Sequence, residues 1–416
     1  MIPLDEAIAT VLGGCRPLEP EVRPLADALG CVLVDDVTAA EAVPPFVNTA
    51  MDGYAVRAVD VATVPVELPV VGEVAAGHPA AVALGPGQAM RIFTGAPLPD
   101  GADAVVMVER TTRLDGGSRV EILQSVPSGN HVRAVGDDVQ PGDVVVHAGD
   151  ELTPGRIGVL RSVGVDAVRV RPRPRVGVLS TGDELVTGSE PLQPGQIRDS
   201  NRPTLLAMVA ASSNAVPVDL GHVRDDEAAL TAAFEDAVAR CDAVLSTGGV
   251  SMGDTDLVKV VLDRLGNAVG SGGGMRWMQV SIKPAKPLAF GVLGERGIPA
   301  FGLPGNPVSS MVSFELFARP GLRRLAGYSD DRLHRIRWAG VADEPLERRA
   351  DGKIHLVRVV ARAVDGVLRV RIAGGQGSHQ LSAMARANAL VVLPDGSGVE
   401  AGSPVEVIVF GDVASG

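Results

Sequence analysis

The run Val176-Gly177-Val178-Leu179-Ser180-Thr181-Gly182-Asp183-Glu184 is apolar at its start and breaks into a glycine turn flanked by carboxylates. Val244-Leu245-Ser246-Thr247-Gly248-Gly249 echoes it further along. Each reads as a buried strand that feeds a tight turn. Around them strands and helices alternate. Asn201-Arg202-Pro203 opens a helix through Ser212, Val216–Leu220 is a strand, and Asp225–Arg240 is strongly helical. Ala243–Ser246 is a strand, Asp256–Leu265 a helix, Pro299–Leu303 a strand and Pro307–Ala318 a helix. This alternation predicts a mainly parallel, doubly wound α/β sheet of about 150 residues.

Outward from this block the texture changes. Arg171-Pro172-Arg173-Pro174-Arg175 before it reads as a stiff linker. Upstream, Leu4, Ala7, Ile8, Val11 and Leu12 mark an amphipathic helix stopped by Gly13-Gly14, and residues 22–43 suggest a second helix with an extended exit. From about 64 to 150, short valine-rich runs between Gly, Pro and Asp turns predict an irregular β region, followed by a helix behind Thr153-Pro154. After Gly327 short strands return, at Ile354–Ala361, Leu368–Ile372, Ala389–Leu393 and Val405–Phe410, which predicts a small all-β C-terminal domain.

Composition narrows the function. The 416 residues carry 38 Lys+Arg against 50 Asp+Glu, a net charge of −12, which argues against a nucleic-acid or anionic-membrane partner. With 3% aromatic residues there is little material for base stacking. Cys15, Cys31 and Cys241 form no CxxC pair, which suits a reducing cytoplasm and excludes a zinc ribbon. Asp5 and Glu6 stand where a secretory leader would be basic, and no apolar run is long enough to span a bilayer.

In open α/β sheets ligands bind at the carboxyl ends of the strands. Three such ends carry unusual loops here: Ser180–Glu184, Ser246–Ser251 and Gly302–Pro307. Glycines let a backbone approach a ligand closely, and amides at helix starts attract anions, so the three together suggest a phosphorylated ligand. Only four lysines occur, Lys259, Lys283, Lys286 and Lys353, and two of them sit in Lys283-Pro284-Ala285-Lys286-Pro287. In polyproline geometry residues three apart point the same way, so this pair reads as an anion clamp. Asp254 and Asp256 follow the second glycine loop, where carboxylates beside phosphate suit Mg²⁺. Asp225 and Asp226 read first as helix caps. The histidines show no spacing for a protein-caged zinc.

Eight motifs in order then carry a resemblance. They are Asn48-Thr-Ala-Met-Asp-Gly-Tyr-Ala55, Ile92-Phe-Thr-Gly-Ala96, Gly136-Asp-Asp138, Ser180-Thr-Gly-Asp-Glu-Leu185, Ser246-Thr-Gly-Gly-Val-Ser251, Lys283-Pro-Ala-Lys-Pro287, Leu303-Pro-Gly-Asn-Pro307 and Gly377-Ser-His-Gln-Leu-Ser382. Across almost the whole chain they resemble the molybdopterin molybdenumtransferase (MoeA) family, which includes the E domain of gephyrin. The resemblance implies four domains. Residues 1–43 and 140–172 form a discontinuous N-terminal linker or dimerisation domain, and 44–139 an inserted β-rich domain. Residues 173–326 form a molybdopterin-binding α/β domain, and 327–416 a C-terminal β-barrel.

It also implies a cytoplasmic homodimer whose site is shared between chains. The reaction implied takes adenylylated molybdopterin and molybdate as substrates, needs Mg²⁺, releases AMP and passes its product toward apo-molybdoenzymes. By motif position, Asp52, Asp138, Glu184, Asp226 and Asp256 are implied in catalysis, and Asp226, Asp254 and Asp256 in metal positioning. Thr94, Ser246, Gly248, Gly249, Ser251, Lys283, Lys286, Pro304, Pro307 and Ser378 are implied in phosphate, pterin or molybdate contacts. Ala285 departs from the usual glycine of the lysine motif, Thr49 from the usual serine, and Ser212-Ser213-Asn214 from the usual glycine-rich helix exit. Val269–Met275 is looser than the usual lead-in. Two other readings stand beside the insertase: adenylylation of molybdopterin, and a non-catalytic scaffold. The Met51–Ala55 region and the length favour the insertase. The chain starts at its first helix without a long linker, which speaks against a fused scaffold.

Overall fold

A computed structural model describes residues 1–212, 214–249, 257–267 and 274–415, with only the backbone described at Ser212 and Asn267. Helix α1 (Leu4–Gly14) buries Leu4, Ala7 and Val11. It runs through both glycines. A Cβ on Gly14 would lie 2.6 Å from the Phe290 ring, so glycine lets the helix press onto the sheet. That face joins the core of the α/β domain, beside Val176, Leu245 and Phe301.

Residues 22–43 hold no helix. Glu21–Pro24 pairs with Ala167–Arg171, which pairs in turn with Val32–Leu33. Only one short 3-10 turn, Leu25–Asp27, lies between them. The apolar spacing that suggests a helix serves a different core, in which Leu25, Ala28 and Leu33 pack on Leu152, Leu160 and Val170. Pro24 removes a helix donor, and the distant strand supplies the hydrogen bonds a helix would have made itself. Helix α2 (Pro154–Ser162) forms as expected, with Thr153 accepting from the Arg156 N–H and Pro154 at its first turn. The inserted region folds as a six-stranded sheet with Gly53–Val56 between Ala104–Met107 and Ala89–Ile92.

The Arg171–Arg175 connection is anchored at both ends. Arg171 donates to the Leu18 carbonyl and Arg173 to that of Ala215. The α/β domain then builds β1 (Arg175–Thr181), α3 (Asn201–Ser212), β2 (Val216–Val223), α4 (Glu227–Arg240), β3 (Ala243–Thr247) and α5 (Leu257–Asn267). It continues with β4 (Arg276–Gln279), β5 (Ile282–Lys283), β6 (Pro287–Leu293), β7 (Ile298–Leu303) and α6 (Pro307–Ser313). The sheet order is β2-β1-β3-β7-β6-β4. Its first four strands are parallel, as the alternation predicts. β6 and β4 extend it antiparallel. The helical run expected over Pro307–Ala318 does not stop there: α6 passes through a wide π turn at Phe314–Ala318 into α7 (Arg319–Leu325), past Pro320. A π turn next to a proline absorbs the missing donor.

The C-terminal strands β8 (Arg337–Ala342), β9 (Ile354–Val364), β10 (Val367–Ile372), β11 (Ala389–Leu393) and β12 (Pro404–Val409) pair as β9-β10-β8-β12-β11-β9. The circuit closes, so this is a five-stranded barrel, filled by Val359, Val370, Val391 and Val407 among others. β5 pairs in parallel with β9, Lys283 opposite His355.

Candidate active site

The three strand-end loops lie together. Ser180, Thr181, Ser246 and Thr247 are buried. The Ser180 hydroxyl donates to Asp199 Oδ2 at 2.7 Å, and Arg202 Nε holds the same oxygen at 3.1 Å. Asn201, at the first turn of α3, ties the other two loops to each other. Its Nδ2 donates to Thr247 Oγ1 at 2.8 Å and to the Gly305 carbonyl at 2.7 Å. Gly248 has φ of +94°, and a Cβ there would lie 2.6 Å from the Thr181 carbonyl oxygen. Only glycine allows β1 and β3 to bring their turns this close.

Asp183 and Glu184 are exposed at the end of β1, and Asp183 Oδ1 accepts from the Asp225 N–H at 3.3 Å. Asp226 is engaged elsewhere: its Oδ1 accepts from the Ala229 N–H at 2.8 Å and caps α4. Pro304 is buried beneath the third loop, and Pro307 starts α6. Ser251, Asp254 and Asp256 lie outside the described residues.

Beside these loops a cleft of about 690 Å³ separates the lysine motif from the barrel. Lys283, Lys286, Lys353 and Ser378 line it, so three of the four lysines in the chain meet here. The lysine motif is not polyproline. Ala285 has φ of +74° and is buried, a left-handed conformation that explains why glycine is usual at this position. The two lysines share the cleft because the chain turns sharply at Ala285, not because it is extended. The Ser378 carbonyl accepts from Val308 N at 3.1 Å, which fixes the loop after β10 to the start of α6.

Behind that loop Arg358 is fully buried on β9. Its Nη2 donates to the carbonyls of Gly375 at 2.6 Å and Gly377 at 3.2 Å. Among the described residues its Nε and Nη1 are buried without a partner, and burial lowers its pKa below the ordinary arginine value.

Asp52 and Thr94 form a separate pair in the inserted sheet. Asp52 Oδ1 accepts from Thr94 N and from Thr94 Oγ1, each at 2.7 Å. These two bonds, with the nearby Arg91 cation, lower the Asp52 pKa. Thr94 thus orients a carboxylate. Gly53 is required next to it, since a Cβ would fall 2.1 Å from the Val106 carbonyl oxygen. Asp138 is exposed on a loop whose backbone binds the Val43 carbonyl. Among the described residues no hydrogen bond joins Asp52, Thr94 or Asp138 to the strand-end loops.

Several contributors have no motif to announce them. Asn201 reads in the sequence only as a helix opening. Lys353 and His355 become neighbours of Lys283 only through the pairing of β5 with β9. Arg358 has one legible signal, a charge at an inward position of a valine-rich strand.

An α/β unit whose strand ends carry glycine loops, with an N-terminal β-rich region before it and a closed β-barrel after it, defines a multidomain α/β-plus-β class. Comparison with known proteins is consistent with this. Residues 2–164 match the MoeA N-terminal region (domain I and II), 177–324 a probable molybdopterin-binding domain, and 347–410 the MoeA C-terminal region (domain IV). The molybdopterin molybdenumtransferase 2 of Mycobacterium tuberculosis is 40% identical over 97% of both chains. The molybdopterin molybdenumtransferase of Haemophilus influenzae is 36% identical over 99% of both. The crystal structure of the molybdopterin biosynthesis MoeA protein from Pyrococcus horikoshii superposes with a TM-score of 0.74 at 30% identity, covering 99% of this chain and 100% of that one. The chain belongs to the MoeA family of molybdenum-cofactor biosynthesis.

Proposed function

We propose that the protein inserts molybdenum from molybdate into adenylylated molybdopterin and releases AMP. The observation that carries this reading is the meeting of Lys283, Lys286 and Lys353 on one cleft beside three glycine loops. Molybdate is a tetrahedral dianion, and clustered ammonium groups with a serine suit it. The adenylylated substrate brings a phosphoanhydride, which the loops at the ends of β1, β3 and β7 are suited to hold. Water cleaves that anhydride and AMP leaves; the two dithiolene sulfurs displace one molybdate oxygen, which departs as water with the two thiol protons, so molybdenum keeps its oxidation state.

Mg²⁺ is the cofactor that this cleavage calls for. It keeps much of its water and needs only one or two carboxylates beside substrate phosphates. Among the described residues no three His, Cys, Asp or Glu side chains gather into a metal cage. Asp183 and Glu184 are exposed at the mouth of the loops, a set that fits an ion held largely by phosphate. Bound there, Mg²⁺ would offset the charge that develops on the breaking anhydride. Asp225, whose amide meets Asp183, is better placed than the cap residue Asp226 to complete the acidic edge. Asp183 would help hold such an ion beside the phosphates, while the lysines hold the anion.

The site is completed by a second copy of the chain. Asp52 stands apart from the loops within one chain, and Phe46, Val47 and Met51 around it are exposed apolar residues of the kind a partner would cover. A cytoplasmic setting is supported by three buried, free cysteines. No helix of the described residues is long and apolar enough to cross a membrane.

The decisive experiment measures AMP release from adenylylated molybdopterin with Mg²⁺, with and without molybdate. Molybdate-dependent release, with a product that activates an apo-molybdoenzyme, is expected. Tight binding without release would overturn the insertase reading and leave a carrier. Adenylate formation from ATP would instead assign the adenylylation step.

A further inference from the structure

The cleft has a second wall. His355 lies on β9 directly opposite Lys283 on β5, and paired residues of parallel strands project to the same face. Both line the cleft. His355 Nε2 meets both Asp351 oxygens at 3.2 Å. Its other ring nitrogen, Nδ1, has no hydrogen-bond partner among the described residues. Lys353 Nζ reaches the same Asp351 at 3.2 Å.

We propose that His355 couples oxyanion capture to proton uptake: an oxyanion seated between Lys283, Lys286 and His355 draws one proton from solvent onto Nδ1, which then donates to it. This rests on the reading of the cleft as an oxyanion site.

The charges around the imidazole set the direction. Lys353, Asp351 and Arg348 stand on its own strand and the turn before it, and Asp351 carries bonds from both Lys353 and Arg348. Lys283 and Lys286 face it from the lysine motif, and Glu347 and Arg349 lie at the rim with opposite charges. Burial lowers the His355 pKa, the Asp351 bond works against that, and the Arg348 and Lys283 cations lower it further. In the empty cleft the ring is therefore neutral near pH 7. An oxyanion beside Lys283 offsets the cations that keep the proton away and accepts a bond that only the imidazolium offers. Linkage then requires tighter binding at lower pH, by at most about tenfold per pH unit for one coupled proton.

The test is calorimetric titration of the full-length protein with sulfate, which does not titrate near neutral pH, and with molybdate at pH 7–8. Buffers of different ionisation enthalpy report the protons taken up. Wild type takes up a measurable fraction of a proton per oxyanion, and His355→Gln takes up none while still binding. Asp351→Asn removes the carboxylate that favours the imidazolium, so its uptake window moves to lower pH, an effect that loss of packing would not produce. Oxyanion binding without proton uptake in wild type, or equal uptake in His355→Gln, would overturn the coupling alone. Absence of sulfate and molybdate binding at every pH would overturn the oxyanion cleft together with it, whereas AMP release tests the insertase reading separately.

Discussion

β1 and β3 lie side by side and end in the same three residues, Ser-Thr-Gly, yet they deliver opposite chemistry. The register places Ser180 beside Thr247, so the two turns are staggered by one residue. After Gly182 come two exposed carboxylates. After Gly248 comes Gly249, with φ of +94° and +65° at the pair and no side chain at either. One end is an acid edge suited to a cation, and the other is bare backbone that a phosphate can approach. The comparison teaches that a shared strand end fixes position only, while the residue after the glycine fixes the sign of the charge it can serve.

The sharpest way to break this contrast is to give each glycine a side chain. Both glycines have positive φ, +94° at Gly248 and +134° at Gly182, so alanine strains either backbone; Gly248→Ala in addition forces a Cβ to 2.6 Å from a backbone carbonyl, whereas at Gly182 the Cβ meets only the flexible Glu184 carboxylate. Gly248→Ala should cost about 2–4 kcal/mol in thermal or urea unfolding and abolish AMP release. Gly182→Ala should cost visibly less, and equal losses would show that crowding between the turns is not what distinguishes them.

Charge is the next lever. Lys283→Ala combined with Lys286→Ala should weaken molybdate binding by at least about a hundredfold, since charge-assisted hydrogen bonds are worth about 1.5–3 kcal/mol each. Asp183→Asn should instead slow Mg²⁺-dependent AMP release while leaving molybdate affinity unchanged. A fall in molybdate affinity in Asp183→Asn would merge the two edges into one.

These variants also mark what the sequence made legible. The β/α alternation and the three strand-end loops follow from local periodicity and turn chemistry, so they can be read without a structure. The lysine pair was visible because lysine is scarce. Lys353 and His355 were not, because their approach to Lys283 depends on pairing between strands far apart in the chain. The strand at 21–24 was hidden for the same reason, its partner being 167–171. In the sequence Asn201 shows only a backbone role at a helix start, although its side-chain amide is what reaches two loops.

Smaller effects refine the picture. Ser180→Ala removes the hydroxyl that serves buried Asp199, and Thr247→Val removes the acceptor for Asn201. Each should cost about 1–3 kcal/mol of stability. The Ser180 change should act on the acid edge and the Thr247 change on the phosphate edge, as a KM-against-kcat comparison would show. Least of all, Ala285→Gly relieves a positive φ of +74° but adds chain entropy on unfolding. It should raise stability by less than about 1 kcal/mol in urea unfolding.

The short stretch from Arg276 to Leu293 works as a seam. On one side Ile2 is bridged to Val280, and its N–H donates to the Gln279 carbonyl. On the other side β5 is stitched to β9 of the barrel. In between, β4 and β6 belong to the α/β sheet itself. Three parts of the molecule are sewn along one thread, so the jaws around the lysines cannot swing apart without unpicking backbone hydrogen bonds. The cleft is a fixed gauge rather than a hinged trap, and cutting away the barrel would fray the very edge that holds Lys283.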